Sequence, residues 1–389
     1  MNNFIFENTT KTYFGKGCVK EYLACLLKHF GENVMFAYGK GSIKENGVYD
    51  EIMESLSKAG KNITEFSDIM PNPTYTKVLE GAKLARDNQI DFILAAGGGS
   101  VIDCCKAVSM AAVYEGDLWE DFFARPGIME FTPLPLGVVV TAGGCGSEMN
   151  GAAVITNESR KVKTGRDYPK CNPDFALIDP TYTYTVSKRQ MVSGGFDTLS
   201  YMMEIYFGKP DEDNVSDDIA EALMRSVIRN LRAAVFNPQD YTARSNLLWD
   251  AAMAGTRILK LGKRTDFQCR QMGHQLAAFL NCHYGEGLAV LHPAYYRHIC
   301  GEECDKFRRF AVNVWGISDA GKSAEETARK GVEALDGFIR EIGLPATLRD
   351  LGADENTELK RIADSCILPA GSDKSITQEE ILKIFQECY

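Results

Sequence analysis

The 389-residue chain has no Cys-x-x-Cys pair, only five histidines, no Lys/Arg block longer than two or three residues and no apolar run approaching a membrane span. Each absence closes a class of function. Without a concentrated basic patch, and with a net charge of −10, the chain offers no surface for nucleic acid or anionic membrane. Without a long apolar run it has no helix to cross a bilayer. The opening residues Met1-Asn2-Asn3-Phe4-Ile5-Phe6-Glu7 lack the basic and apolar regions of a signal peptide, so a cytoplasmic location is expected. The twelve scattered cysteines then read as small buried apolar residues rather than a disulfide framework. Cys300 and Cys304 fall at helical spacing but lack His or Cys partners at zinc-site spacing.

What is present suits two domains: 45% hydrophobic and 25% charged residues, in the usual globular range. The first half alternates apolar strand-like runs with helical ones. Strands are expected at Val34–Tyr38, Ile63–Phe66, Asp91–Ala96, Leu134–Val140 and Phe175–Ile178, with helices over Tyr49–Ala59, Thr74–Asn88 and Val101–Tyr114. Continuous apolar strands between helices indicate a parallel sheet covered on both faces. From about Ser187 the pattern is helical throughout, and Ser323-x-x-Glu326 and Thr377-x-x-Glu380 read as capping boxes. The expected fold is α/β plus all-α: a dinucleotide-binding parallel-sheet domain over 1–186 and a helical domain over 187–389.

The clearest chemical signal in the first half is Gly97-Gly98-Gly99-Ser100-Val101-Ile102-Asp103, which follows a strand and opens a helix. Glycines let a backbone approach a pyrophosphate, and a helix start offers free N–H groups and a positive dipole end. Ser100 reads as the N-cap, with Asp103 completing the cap. A plain tight turn is the alternative, and the run is not the G-x-G-x-x-G fingerprint of the ordinary dinucleotide fold. Tyr38-Gly39-Lys40-Gly41-Ser42 ends the first buried strand, where adenosine usually lies. NAD recognition commonly places an acid there. Lys40 and Ser42 instead suit a 2′-phosphate, so NADP(H) is expected over NAD(H), with a solvated turn as the alternative. Thr141-Ala142-Gly143-Gly144-Cys145-Gly146-Ser147-Glu148 follows another apolar strand and suits close approach to a flat ligand, with Thr141 and Ser147 as candidate contacts. Lys163 is a candidate cation near phosphate or substrate, although taken singly it reads as a solvated charge.

In the helical half, Asp197 and Tyr201 lie one turn apart and project from one face. Asp followed four residues later by His would begin a divalent-metal site. Tyr is a poor ligand unless deprotonated. His274 lies one turn after Arg270, and the Tyr284-Gly285 pair follows ten residues later. His29 and His298 sit in segments that favour structural roles.

Together these motifs resemble the iron-containing (group III) alcohol dehydrogenases, in particular the butanol dehydrogenase-like branch. The resemblance spans the chain: Thr10–Gly17, Gly97–Ser100 with Asp103, Gly146–Asn150, Ile178–Thr181, Asp197–Glu204, and His274 with Tyr284-Gly285-x-Gly287. It implies a dinucleotide-binding domain, a helical domain, a site between them and a homodimer. It also implies metal ligands at Asp197, Tyr201, Arg270 and Tyr284, where the family carries one Asp and three His, while His274 matches a non-ligand His near the nicotinamide. Only Asp197 retains a ligand type. His283 is one residue short of the last ligand position, so a local slip would bring it in.

A guanidinium at contact distance repels a dication, and one carboxylate does not replace three imidazoles. No catalytic divalent metal is therefore expected. Arg270 would supply the positive charge, Tyr201 and Tyr284 O–H donors, Asp197 the partner that holds Arg270, and His274 or a tyrosine the proton. The reaction expected is metal-independent hydride transfer from NADPH to a small aldehyde, ketone or enone. The alternatives are reduction of a carboxylate-bearing C=C or C=O substrate, as in the related maleylacetate reductases, and a nucleotide-binding pseudoenzyme.

Overall fold

A computed structural model describes residues 2–210, 212–301, 304–354, 357–368 and 376–389. The chain divides into two compact units, one of residues 7–186 with 251–256, the other of the N-terminal residues to Phe6 with 187–250 and 257–389.

The first unit is built on β1 (Lys11–Phe14), β2 (Asn33–Tyr38), β3 (Asn62–Phe66), β4 (Phe92–Gly97), β5 (Leu136–Val140), β6 (Ala152–Asn157), β7 (Val162–Asp167) and β8 (Phe175–Ile178). Six of these form one all-parallel sheet in the order β1-β8-β5-β4-β2-β3. Residues of β4, β5 and β8 are buried along their whole length, as expected for central strands covered on both faces. The unit's helices are α1 (Cys18–Leu27), α2 (Ser42–Glu45), α3 (Val48–Lys58), α4 (Tyr75–Asp87) and α5 (Gly99–Val113). From β2 the chain runs outward to β3 and then crosses back to β4 on the other side of β2. The reversal makes the carboxyl ends of β2 and β4 a topological switch point, where open α/β sheets bind ligands.

Three strands, β1, β6 and β7, lie outside those expected from the sequence. Edge strand β1 is short and half exposed, so its pattern is weak. The β6–β7 pair is an antiparallel hairpin outside the main sheet, whose polar residues mask the alternation.

The second unit contains α6 (Lys188–Tyr206), α7 (Val215–Phe236), most of α8 (Tyr241–Gly255), α9 (Gln268–Leu280), α10 (Tyr284–Ile299), α11 (Cys304–Asn313), α12 (Ala324–Glu341), α13 (Leu359–Asp364) and α14 (Gln378–Glu387). No strand follows β8 among the described residues. Thr377 and Glu380 form a reciprocal capping box, while Ser323 supplies the N-cap half by accepting from the Glu326 N–H. Cys300 caps the end of α10 and Cys304 opens α11, so they do not share a helix face. Gly285 lets α10 approach α6: a Cβ there would lie 2.0 Å from the Ser193 carbonyl oxygen. Among the described residues no helix is long and apolar enough to cross a membrane.

Asp250, on α8, is buried with Oδ2 unpartnered among the described residues, and desolvation raises its carboxyl to about 7. A folded-state value above the unfolded one means the native state holds a proton that the unfolded chain releases. Its stability contribution is therefore lost as pH rises from about 4 to about 7. Asp250→Asn should raise the thermal unfolding midpoint at pH 8 and leave it nearly unchanged at pH 4. Scanning calorimetry at the two pH values checks this.

Candidate active site

At the carboxyl ends of β2, β4 and β5, three loops present the glycines and hydroxyls singled out in the sequence. Gly39 lies beside the start of α5, where a Cβ on it would meet Val101 Cγ2 at 3.9 Å. The Thr141 N–H donates to the Gly97 carbonyl over 3.0 Å, joining the loop after β5 to that after β4. A Cβ on Gly99 would meet nothing nearer than Ser147 Cβ at 3.9 Å, so the first turn of α5 is open to close approach. Glycine backbone, an uncapped helix start and the switch point fit the pyrophosphate of a dinucleotide.

Details of this loop differ from expectation. The N-cap of α5 is Gly98, without a side-chain cap, and Ser100 falls within the first turn. Three consecutive glycines let the helix begin two residues earlier than the apolar pattern indicates. Asp103 does not complete a cap. It accepts from the Val154 N–H at 3.0 Å and from the Ser147 hydroxyl. The Ser147 hydroxyl also accepts from buried Lys106 Nζ at 2.8 Å, so Ser147 is part of an internal network rather than an open ligand contact. Lys106 further donates to the carbonyls of Ser147 (2.6 Å) and Ala152 (2.8 Å). Burial pulls its ammonium below its ordinary value, against the raising effect of Asp103. Lys106 sits inside an apolar helical pattern, and its only sequence signal is a charge at a core position. Lys163 is not solvated: it is buried on β7 and donates to Asn72 Oδ1 at 2.7 Å. Lys40 and Ser42 are exposed at the end of β2. Sequence reading missed Asp68, exposed in the loop after β3, whose N–H donates to the Gly39 carbonyl at 3.2 Å. Only the pairing of β3 with β2 brings that acid to the loop.

In the second unit the four ligand positions, three of them substituted, converge beside His274. Asp197 and Tyr201 come from α6, Arg270 and His274 from α9, and Tyr284 from the first residue of α10. Arg270 Nη1 lies 2.8 Å from Asp197 Oδ1 and also donates to the Asp197 carbonyl at 3.3 Å and Ser200 Oγ at 3.4 Å. Its guanidinium carbon lies 5.3 Å from the Tyr201 ring centre and 5.0 Å from that of Tyr284, both within cation–π range. The His274 ring packs on Tyr284 with centres 4.8 Å apart. Tyr201 also stacks on Phe267 at 5.6 Å.

Two expectations need correction. The Tyr284 hydroxyl donates to the Arg270 carbonyl at 2.8 Å, so its proton is spent within the protein. Burial pushes that phenol well above its ordinary value, partly opposed by Arg270. His283 does not slip into the ligand position. It is exposed as the N-cap residue of α10, and Tyr284 faces Arg270 instead.

The donor set does not fit a divalent metal at these four positions. The one carboxylate is bound to a cation, and that cation occupies the place between the phenols.

The iron-containing alcohol dehydrogenase model matches residues 9–180, and the C-terminal model of the Fe-containing family matches 191–389. A probable NADH-dependent butanol dehydrogenase of Bacillus subtilis is 36% identical over 99% of both chains. The NADPH-dependent aldehyde reductase YqhD of Escherichia coli is 30% identical over 99% of both. The crystal structure of NADH-dependent butanol dehydrogenase A from Thermotoga maritima superposes with a TM-score of 0.94 at 34% identity, covering 100% of this chain and 99% of that one. With both halves matched and such identity held end to end, the chain belongs to the iron-containing alcohol dehydrogenases, a family of oxidoreductases, on its butanol dehydrogenase-like branch.

Proposed function

We propose that this oxidoreductase reduces a small aldehyde, ketone or enone with NADPH, using Arg270 in place of a metal ion. The observation that carries this reading is the Arg270 guanidinium, paired with Asp197 and flanked by Tyr201 and Tyr284. The dinucleotide, held through Gly39, Gly97–Gly99 and Thr141 of the 1–186 domain, supplies the reducing equivalent. Within the 187–389 domain, Arg270 stabilises the negative charge that grows on the substrate oxygen, a task worth about 3–4 kcal/mol for a well-placed donor. Asp197 keeps the guanidinium in place, because a buried cation without a partner is costly. Tyr201 delivers the proton, since its hydroxyl has no hydrogen-bonding partner among the described residues, whereas that of Tyr284 is engaged. His274 positions Tyr284 through ring packing. A homodimer is the state the family resemblance implies.

Two further readings rest on specific observations. Arg270 is also suited to hold a substrate carboxylate, which favours an anionic enoic or oxo acid. Asp68 beside Gly39 is an acceptor suited to a ribose hydroxyl, and favours NADH as in the butanol dehydrogenase relatives.

Arg270→Ala should lower kcat by about 10²–10³-fold with little change in KM for the nucleotide, measured by NADPH oxidation on neutral and anionic carbonyl panels. Binding of NADPH without turnover of any panel member by the unmodified protein would reduce the role to nucleotide binding alone. Protein dialysed against chelator should keep its rate. A rate lost with chelator and recovered with Fe²⁺, while circular dichroism stays constant, overturns the metal-free reading. Lys40→Ala should lower kcat/KM for NADPH about tenfold, roughly 1.4 kcal/mol, and leave that for NADH unchanged. An unchanged ratio favours Asp68 and NADH.

A further inference from the structure

Behind the Arg270 pair, on the side of α6 two turns beyond Asp197, three side chains with metal-ligating atoms meet in the core. Glu204 comes from α6, Cys269 from α9 and His292 from α10. One ligand atom from each lies within 4.8 Å of the other two, and all three residues are 0% exposed. His292 Nε2 is 3.5 Å from Glu204 Oε1. Two ligands on one tetrahedral ion with bonds of about 2.0–2.1 Å stand roughly 3.3 Å apart, so the pair is already near that spacing. Ser200 Oγ lies 2.7 Å from His292 Nε2 at the edge of the cluster.

The cluster is also incompletely satisfied. Both carboxylate oxygens of Glu204 and Nδ1 of His292 are buried without a hydrogen-bonding partner among the described residues. A buried carboxyl without partners costs several kcal/mol if charged, and its retention calls for a use. Two other buried acids of the same unit are engaged, Asp217 with Lys263 and Lys306, and Asp266 with the hydroxyl of Tyr295 and the amide of Gln268, while Asp250 leaves only one oxygen without a partner among the described residues.

We propose that Glu204, Cys269 and His292 form a structural site for a thiophilic divalent cation, Zn²⁺ above all. Thiolate, imidazole and carboxylate together are a zinc donor set. The charge balances. Two anionic ligands and one neutral imidazole neutralise a dication, while the neighbouring Arg270 is already neutralised by Asp197 at 2.8 Å. Without a metal, burial keeps the Glu204 carboxyl and the Cys269 thiol protonated, and holds the His292 imidazole neutral by depressing it to about 3. Binding therefore exchanges two protons, one from oxygen and one from sulfur, for one dication, with no change of oxidation state. The ion would tie α6, α9 and α10 together behind the reacting groups. It takes no part in the reaction proposed above and does not depend on it.

The full chain is to be produced in minimal medium supplemented with Zn²⁺, and separately with Co²⁺, then dialysed against chelator. Elemental analysis should find one metal per chain, and the cobalt form should show a near-ultraviolet thiolate-to-cobalt charge-transfer band. Cys269→Ala should abolish that band and lower retained metal at least tenfold. Cys104→Ala, at a buried cysteine of the other unit, should leave both intact. His292→Gln, which keeps the thiolate, gives a second reading if Cys269→Ala does not fold. It should lower retained metal and shift the visible cobalt bands. A chain that retains no metal from either medium overturns the site and leaves the reaction untouched. Metal kept in Cys269→Ala but lost in Asp197→Asn overturns both the site and the metal-free reading of the reaction.

Discussion

The ion pair between Arg270 and Asp197 is the constraint around which the helical unit's converging side chains are arranged. It joins α9 to α6 at 2.8 Å, and its cation is flanked by one ring from α6 and one from the start of α10. Removing one partner of such a buried pair strands the other, a loss of about 3–5 kcal/mol. The flanking phenols add apolar cover and an electron-rich face, which suit a weakly hydrated guanidinium better than an ammonium. The hydroxyl of Tyr284 then ties α10 to the backbone of the very residue its ring covers. Gly285 is what allows that helix to come so near, because any side chain there would meet the Ser193 carbonyl.

The parallel-sheet unit depends on a different device. Strand order alone creates the switch point at β2 and β4, but the loops around it need support from below. Lys106 provides it by gathering the carbonyls of Ser147 and Ala152 and the Ser147 hydroxyl, which in turn reaches Asp103. Two backbone carbonyls and one hydroxyl thus converge on one ammonium in the core. The glycines above it remain free to face a ligand because the polar side chains nearby are occupied with each other.

Much of this was legible in the sequence. The parallel sheet followed from continuous apolar runs, and the onset of the helical half from the disappearance of β-branched runs after Thr185. The convergence of Asp197, Tyr201, Arg270 and Tyr284 was readable because a known family places ligands at those positions. Composition alone gives no reason for an arginine to meet an aspartate 73 residues earlier. What stayed hidden were contacts set by tertiary packing. Ser100 looked like a cap because serine usually is one, yet the glycines before it were free to start the helix. Lys163 looked solvated because charge usually is, yet the hairpin turns it inward. Asp68 is distant in sequence from Gly39 and adjacent only through strand pairing. Glu204, Cys269 and His292 lie on three helices, and no local spacing links them.

The mutual dependence of Arg270, Asp197 and the two tyrosines bears on how such a site changes over generations. Returning any one of the three altered positions to histidine leaves the other two in place, and an isolated imidazole among a cation and a phenol gains no ion to bind. A histidine at any one of them would take away a partner of the ion pair or part of its aromatic cover without restoring a set of metal ligands.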